Sequence, residues 1–195
     1  LSGLRWRESL QPWDGGELVA GIDVDRMAGS VSFNGFTVYD ADAQGSALRL
    51  TSPYLAVAHS WALPRGWQVT PSAGMRHYKH SVFGSHAAPH AGVVLAQGET
   101  LSLRANVARG LNFPGLDAPL LNTLVPPLAN LTPQGWRGLK PEAMNHTELG
   151  VHWQWTRGSA IDLAVFHDQL KQRYVFAFPP AVAMPSFTNL GRRPL

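Results

Sequence analysis

Residues 147–156 read Thr-Glu-Leu-Gly-Val-His-Trp-Gln-Trp-Thr. Thr147, Leu149, Val151, Trp153 and Trp155 alternate with Glu148, Gly150, His152, Gln154 and Thr156. A period of two separates the two faces of a strand and fits no helix. One face is apolar and ends on two indoles, and the other carries a carboxylate, an imidazole and an amide. The pattern recurs upstream in Glu17–Asp25, Trp67–Tyr78 and Leu101–Gly110. Each segment runs about 9–11 residues, the length that crosses a bilayer when tilted. Weaker alternation marks Ser52–Leu63, His90–Gln97 and Ser159–Tyr174, with partial strands at Leu4–Ser9 and after Phe187. The sum is about nine strands.

The connections alternate in length. Pro64-Arg65-Gly66, Gln97-Gly98-Glu99 and Thr156-Arg157-Gly158 are tight hairpin turns, and Gln11–Gly16 is somewhat longer. Between them lie long polar or Pro-rich segments at Ala28–Arg49, His80–Pro89, Asn112–Lys140 and Phe176–Ser186. Short turns at one end and long loops at the other describe an antiparallel up-and-down meander crossing a membrane. Trp61 and Trp67 flank one short turn, Trp153 and Trp155 precede another, and all four fall on the apolar face, as a membrane girdle would.

Composition agrees. Only 15% of the 195 residues are charged, against roughly 25% in soluble domains. Hydrophobic residues reach 45%, yet mean hydropathy is only −0.10. Nowhere do about 18 apolar residues run together, so no transmembrane helix is present. The apolar residues are spread as alternation spreads them. There is no cysteine, which excludes disulfides and thiolate metal sites. The net charge of +3 is small and its cations are scattered, which argues against nucleic acid. The chain opens Leu1-Ser2-Gly3 without an initiator Met or a signal peptide, so it reads as part of a longer protein.

A soluble barrel is dry inside, whereas a large membrane barrel is apolar outside and wet within. Leu18, Val69, Leu103, Val151 and Trp153 are therefore expected on a convex, lipid-facing surface. Asp23, Arg104 and Glu148 are expected on the concave side, with Asp25, Arg76, Asn106, His152 and Asp162.

Several stretches resemble the C-terminal half of TonB-dependent outer-membrane receptor barrels. Arg109-Gly110-Leu111-Asn112-Phe113-Pro114 resembles the Arg-Gly-Phe-Arg-Ala-Pro that ends one strand there. Leu139-Lys140-Pro141-Glu142 matches the Leu-Lys-Pro-Glu opening the next, and Glu148-Leu149-Gly150 follows in its usual place. Phe166-His167-Asp168 with Lys171, and Thr188-Asn189-Leu190-Gly191, resemble the two segments after that. Departures are Leu111-Asn112-Phe113 for Phe-Arg-Ala, and Arg137-Gly138 where Asn-Pro is common. The resemblance covers Ser102–Gly191. It implies residues 1–195 as a partial receptor barrel, an open sheet of about nine strands within a 22-stranded circumference. It further implies a Gram-negative outer-membrane protein taking up a ferric siderophore, haem or cobalamin. Its partners would be the solute, membrane lipid and the TonB system through a plug domain. No cofactor, nucleic acid or catalysis is implied.

Candidate ligand contacts are Arg104 and Arg109, for an anionic chelate, and the loop aromatics Phe113, Trp136 and Tyr174. His77, His80, His86 and His90 fall in one hairpin end and are weak metal candidates with no standard spacing. Glu148, His152 and Asp162 share a face as an acid–base group, but no nucleophile accompanies them. Two other architectures fit the strand pattern. A complete barrel of about eight strands, serving as enzyme or adhesion module, requires paired first and last strands. A carbohydrate-binding sandwich requires two packed sheets.

Overall fold

The computed structural model describes residues 1–124, 135–177, 186–190 and 193–194. The strands are β1 (Ser2–Leu10), β2 (Gly16–Met27), β3 (Ser30–Phe33), β4 (Phe36–Asp40), β5 (Leu48–His59), β6 (Trp61–Ala62) and β7 (Trp67–His80). They continue with β8 (Gly84–Gln97), β9 (Leu101–Asn112), β10 (Glu142–Thr156), β11 (Ser159–Lys171), β12 (Tyr174–Ala177), β13 (Ser186–Asn189) and β14 (Arg193–Pro194). One short helix, α1, spans Asp117–Leu124.

The main sheet follows the path β1-β2-β5-β7-β8-β9-β10-β11-β14, nine strands as expected, with β6 paired to β7. Every pairing is antiparallel. Among the described residues no ladder joins β1 to β14, so the sheet is open. That does not favour a closed small barrel, and the sequential order is not that of a sandwich.

Three prolines sit inside the long strands, each where the ladder lets it. Pro53 lies in the gap between the pairs Thr51↔Lys79 and Tyr54↔Arg76. Pro71 lies where β7 leaves β5 and takes up β6. Pro89 lies one residue beyond the β8–β9 ladder, which begins at His90↔Ala108. A residue without N–H is tolerated only where no ladder bond is due.

Pro89 also explains a correction. The His80–Pro89 segment is no long loop. It is a tight hairpin, with β7 and β8 paired from Trp67↔Gln97 to His80↔Gly84. Short and long connections therefore do not alternate strictly. The Ala28–Arg49 segment is long but not irregular, because β3 and β4 form a hairpin over Asn34-Gly35, both at positive φ (49° and 81°). Asn-Gly between apolar runs is the expected sequence of such a turn. The predicted strand Ser159–Tyr174 breaks at Gln172, where φ is 58°. The residues after Phe187 are divided: β13 pairs with β12, and only β14 reaches the main sheet. Parts of two predicted loops, 125–134 and 178–185, lie outside the described residues, as does Gly191 of the Asn-Leu-Gly stretch.

The registers place alternate residues on two opposed faces. Val69, Leu95, Leu103, Val151 and Leu163 run across one face in successive pairings. Leu55, Leu149, Leu163 and Val165 on that face are more than half exposed. Among the described residues the sheet thus has no apolar core beneath it. The buried core lies at the long-loop end, where Leu48, Phe83, Ala118, Trp136 and Leu139 pack together, joined by Met27, Phe113, Tyr174 and Phe187.

Asn189 latches this cap. Its Oδ1 accepts the Lys140 N–H at 2.8 Å, and its Nδ2 donates to the carbonyls of Lys140 and Gln172 at 2.9 and 2.6 Å. Glu142 accepts from Asn112 Nδ2 and from the Tyr174 N–H. The Leu-Lys-Pro-Glu and Asn-Leu-Gly stretches are thereby one structural joint. Asn189→Ala should free the β12–β13 hairpin, since three hydrogen bonds at about 1 kcal/mol each are lost. Faster amide exchange at Val175 and Phe187 is the expected result, and unchanged exchange would refute the latch.

Candidate functional site

The polar face of the sheet is crossed by ion pairs. Arg104 Nε on β9 donates to Glu148 Oε1 on β10 at 2.9 Å. The other Glu148 oxygen lies 3.6 Å from His146 Nε2, and His146 Nδ1 lies 2.6 Å from Asp168 Oδ1 on β11. Four side chains thus bridge three strands. Gly150 permits this. It stands opposite Arg104 in register, and a Cβ there would come within 2.6 Å of Arg104 Nε. The guanidinium lies across the glycine to reach Glu148, which accounts for the Glu-Leu-Gly spacing.

A second group spans β2, β5 and β7. Arg76 Nη1 donates to Asp23 Oδ2 at 2.5 Å, and its guanidinium carbon lies 4.4 Å from the Tyr54 ring centroid. Tyr54 stands opposite Gly21, where a Cβ would clash with the phenol at 2.4 Å. His152 Nδ1 and Asp162 Oδ1 form a third pair at 2.8 Å.

The candidate acid–base trio Glu148, His152 and Asp162 does not assemble. His152 and Asp162 pair with each other, whereas Glu148 is four residues along the strand, about 13 Å away, and engaged elsewhere. Arg104 faces the polar side as expected. Arg109 does not: it alternates with Arg104's face, follows Val107 and pairs in register with Asn145. Phe113, Trp136 and Tyr174 belong to the loop core, where Trp136 is 5% exposed and Phe113 stacks on His80 at 5.0 Å. His146, Asp168 and Tyr54 escaped the sequence reading. Parity could have found them, because His146 precedes Glu148 by two and Asp168 shares the phase of Asp162. The clean alternation starts only at Thr147, one residue past His146.

The four hairpin histidines do not converge. Among the described residues no three His, Asp or Glu side chains are placed to hold a metal. His77 alternates to the apolar face, His86 stands opposite Tyr78, and His90 opposite Gly74. His80 has a structural task at the turn that closes β7, inside the loop core. Its Nδ1 accepts the Val82 and Phe83 N–H groups at 3.1 and 3.2 Å, while Nε2 is buried without a partner. Burial, and then the neighbouring His86, push its pKa down to about 4. The unfolded chain therefore binds a proton that the folded turn refuses. Stability of the cap should fall as pH drops from about 6.5 to about 4, and level off below. Amide exchange of Phe83 against pH measures this, and His80→Gln should flatten the profile.

An open antiparallel meander, apolar on one face and ion-paired on the other, has the pattern of a piece of barrel wall. The family model described as the TonB-dependent receptor-like β-barrel matches residues 2–193. The chain belongs to the TonB-dependent receptor β-barrel family. Among solved structures it resembles the siderophore receptor PirA from Pseudomonas aeruginosa, with a TM-score of 0.70 and 19% identity over 97% of this chain and 34% of that one. The ferric enterobactin receptor PfeA from the same organism, in complex with enterobactin, gives 0.64 and 18% over 97% and 31%. The FrpB iron transporter from Neisseria meningitidis gives 0.63 and 15% over 96% and 30%. The chain spans about a third of the length of these receptors. At such identities the likeness establishes the fold. No curated protein sequence matches the chain.

Proposed function

We propose that the chain forms part of the wall of a Gram-negative outer-membrane receptor that imports a scarce solute, an iron chelate before haem or cobalamin, under TonB power. The observation that carries this reading is the opposition of the two faces. Leu103 and Leu149 present hydrocarbon to lipid, and Arg104, Glu148, His146 and Asp168 present charge to a wet lumen. The names of the similar solved receptors support an iron chelate as the solute. On this reading the wall catalyses nothing. It supplies a lipid-compatible exterior, a hydrated interior and a framed mouth, while a plug domain would couple to TonB.

Arg104 is proposed as the wall residue that meets an anionic solute, because its side chain remains 41% exposed beside Glu148. Phe113, Trp136 and Tyr174 are proposed to act by shaping the loop cap at the mouth. Uptake of radiolabelled ferric chelate by iron-starved cells, with and without the gene, tests the reading. Uptake should vanish without the gene and fall several-fold with Arg104→Ala. If transport of ferric chelates, haem and cobalamin is all unaffected by deleting the gene, the transport reading falls.

A further inference from the structure

The apolar face carries a second feature at its loop end, where three cations meet above a groove. The groove lies between β5 and β7, is about 630 Å³ in volume, and is lined by Pro53, Leu55, Val57, Ala73, Met75 and His77. Its origin is the interrupted ladder at Pro53, together with the small Ala73 on its floor.

Arg49 and Lys79 continue the same two strands beyond the groove, on the same face. Lys79 pairs in register with Thr51, so Arg49 is its diagonal neighbour, about 7–8 Å away at Cβ. On the other side Arg49 stands directly opposite Arg26 of β2. Like charges directly opposite destabilise a sheet. Arg26 is relieved by its ion pair with Asp42. Arg49 and Lys79 are exposed and have no carboxylate partner among the described residues. The tier thus sets three cations against one carboxylate.

Depth gives this tier its meaning. Trp67 and Lys79 lie on one strand, twelve residues apart. At about 3.3 Å per residue the separation is about 40 Å, and about 30 Å normal to the membrane for a tilt near 40°. That is the thickness of the hydrocarbon layer. With Trp67 and Trp61 at one interface, Lys79 and Arg49 stand in the headgroup layer of the other leaflet.

We propose that Arg26, Arg49 and Lys79, with the β5–β7 groove beneath them, form a binding site for a phosphorylated membrane lipid. A headgroup phosphate bridges Arg49 and Lys79 and offsets their repulsion of Arg26. One acyl chain lies along Pro53, Leu55, Ala73 and Met75. The proposal rests on the membrane-wall reading.

The test uses the receptor carrying this chain in its natural context, purified in detergent. Binding of phosphatidylglycerol and of zwitterionic phosphatidylcholine is counted by native mass spectrometry. Insertion is followed separately by flotation with phosphatidylcholine vesicles. The wild type should retain phosphatidylglycerol at least tenfold better than phosphatidylcholine. The R49E/K79E variant should lose that preference, and Ala73→Trp should weaken retention by filling the groove, while both still float. An unchanged preference in R49E/K79E would overturn the site. So would displacement of the lipid by inorganic phosphate alone at millimolar concentration, which would show a free-anion site. Failure of the wild type to float would overturn the membrane wall itself, and the lipid site with it.

Discussion

Trp136→Ala should melt the loop cap and leave the meander paired. The indole is 5% exposed and meets the Phe83 ring edge-on at 6.1 Å. Leu48, Ala118 and Leu139 belong to the same buried cluster. Truncating a buried tryptophan to alanine costs about 3–5 kcal/mol, because the cavity cannot collapse fully. Among the described residues the cap has a single buried apolar cluster to draw on, so this is a large share of its local stability. The strand ladders do not depend on it, since their bonds run between backbones. Protease cleavage within residues 28–47 and amide exchange at Ala41, Ser46 and Ala47 should rise sharply. Amides of β9 and β10 should keep their protection. Equal loss of protection in both regions would show that cap and wall are one cooperative unit.

Leu149→Arg should prevent stable insertion of the wall. Leu149 is 61% exposed at the centre of β10, between Ala105 and Val165 in register. A cation facing lipid at mid-depth costs about 2–4 kcal/mol. The comparison is Asn106→Lys, on the other face and directly opposite Glu148. There a cation gains a carboxylate in a hydrated setting, and its effect should stay within about 1 kcal/mol. Denaturant titration of the receptor in lipid vesicles measures both. If Asn106→Lys is the more harmful, the faces have been assigned the wrong way round and the apolar side is not the lipid side.

These predictions separate what alternation can say from what it cannot. Period-two patterning marked β2, β7, β9 and β10 because each has one apolar and one polar face. Two unlike faces leave a strong trace in sequence. β8 was half missed because Pro89 resembles a loop residue until the end of its ladder is known. The β3–β4 hairpin carried its Asn34-Gly35 signal openly, yet its location within a long connection concealed it. The short motifs near Phe113, Leu139 and Asn189 identified the family without disclosing their task, which is to latch the cap.

For this protein, sequence alone determined the antiparallel meander, the nine strands along the path of its main sheet, the division into apolar and polar faces, and the receptor family. The first three follow from local rules: a strand shows alternate residues to opposite sides, and a tight turn forces its neighbours to pair; the family follows from the short motifs. Tertiary structure alone decided which charges meet. Arg104, Glu148, His146 and Asp168 come from three strands, and only the register brings them into one line. It also decided that Trp136 and Phe113 serve a core, that His80 is buried in a turn, and that Arg26, Arg49 and Lys79 share one tier. Such groupings depend on sums of residue numbers across paired strands, and a shift of one residue would undo each of them.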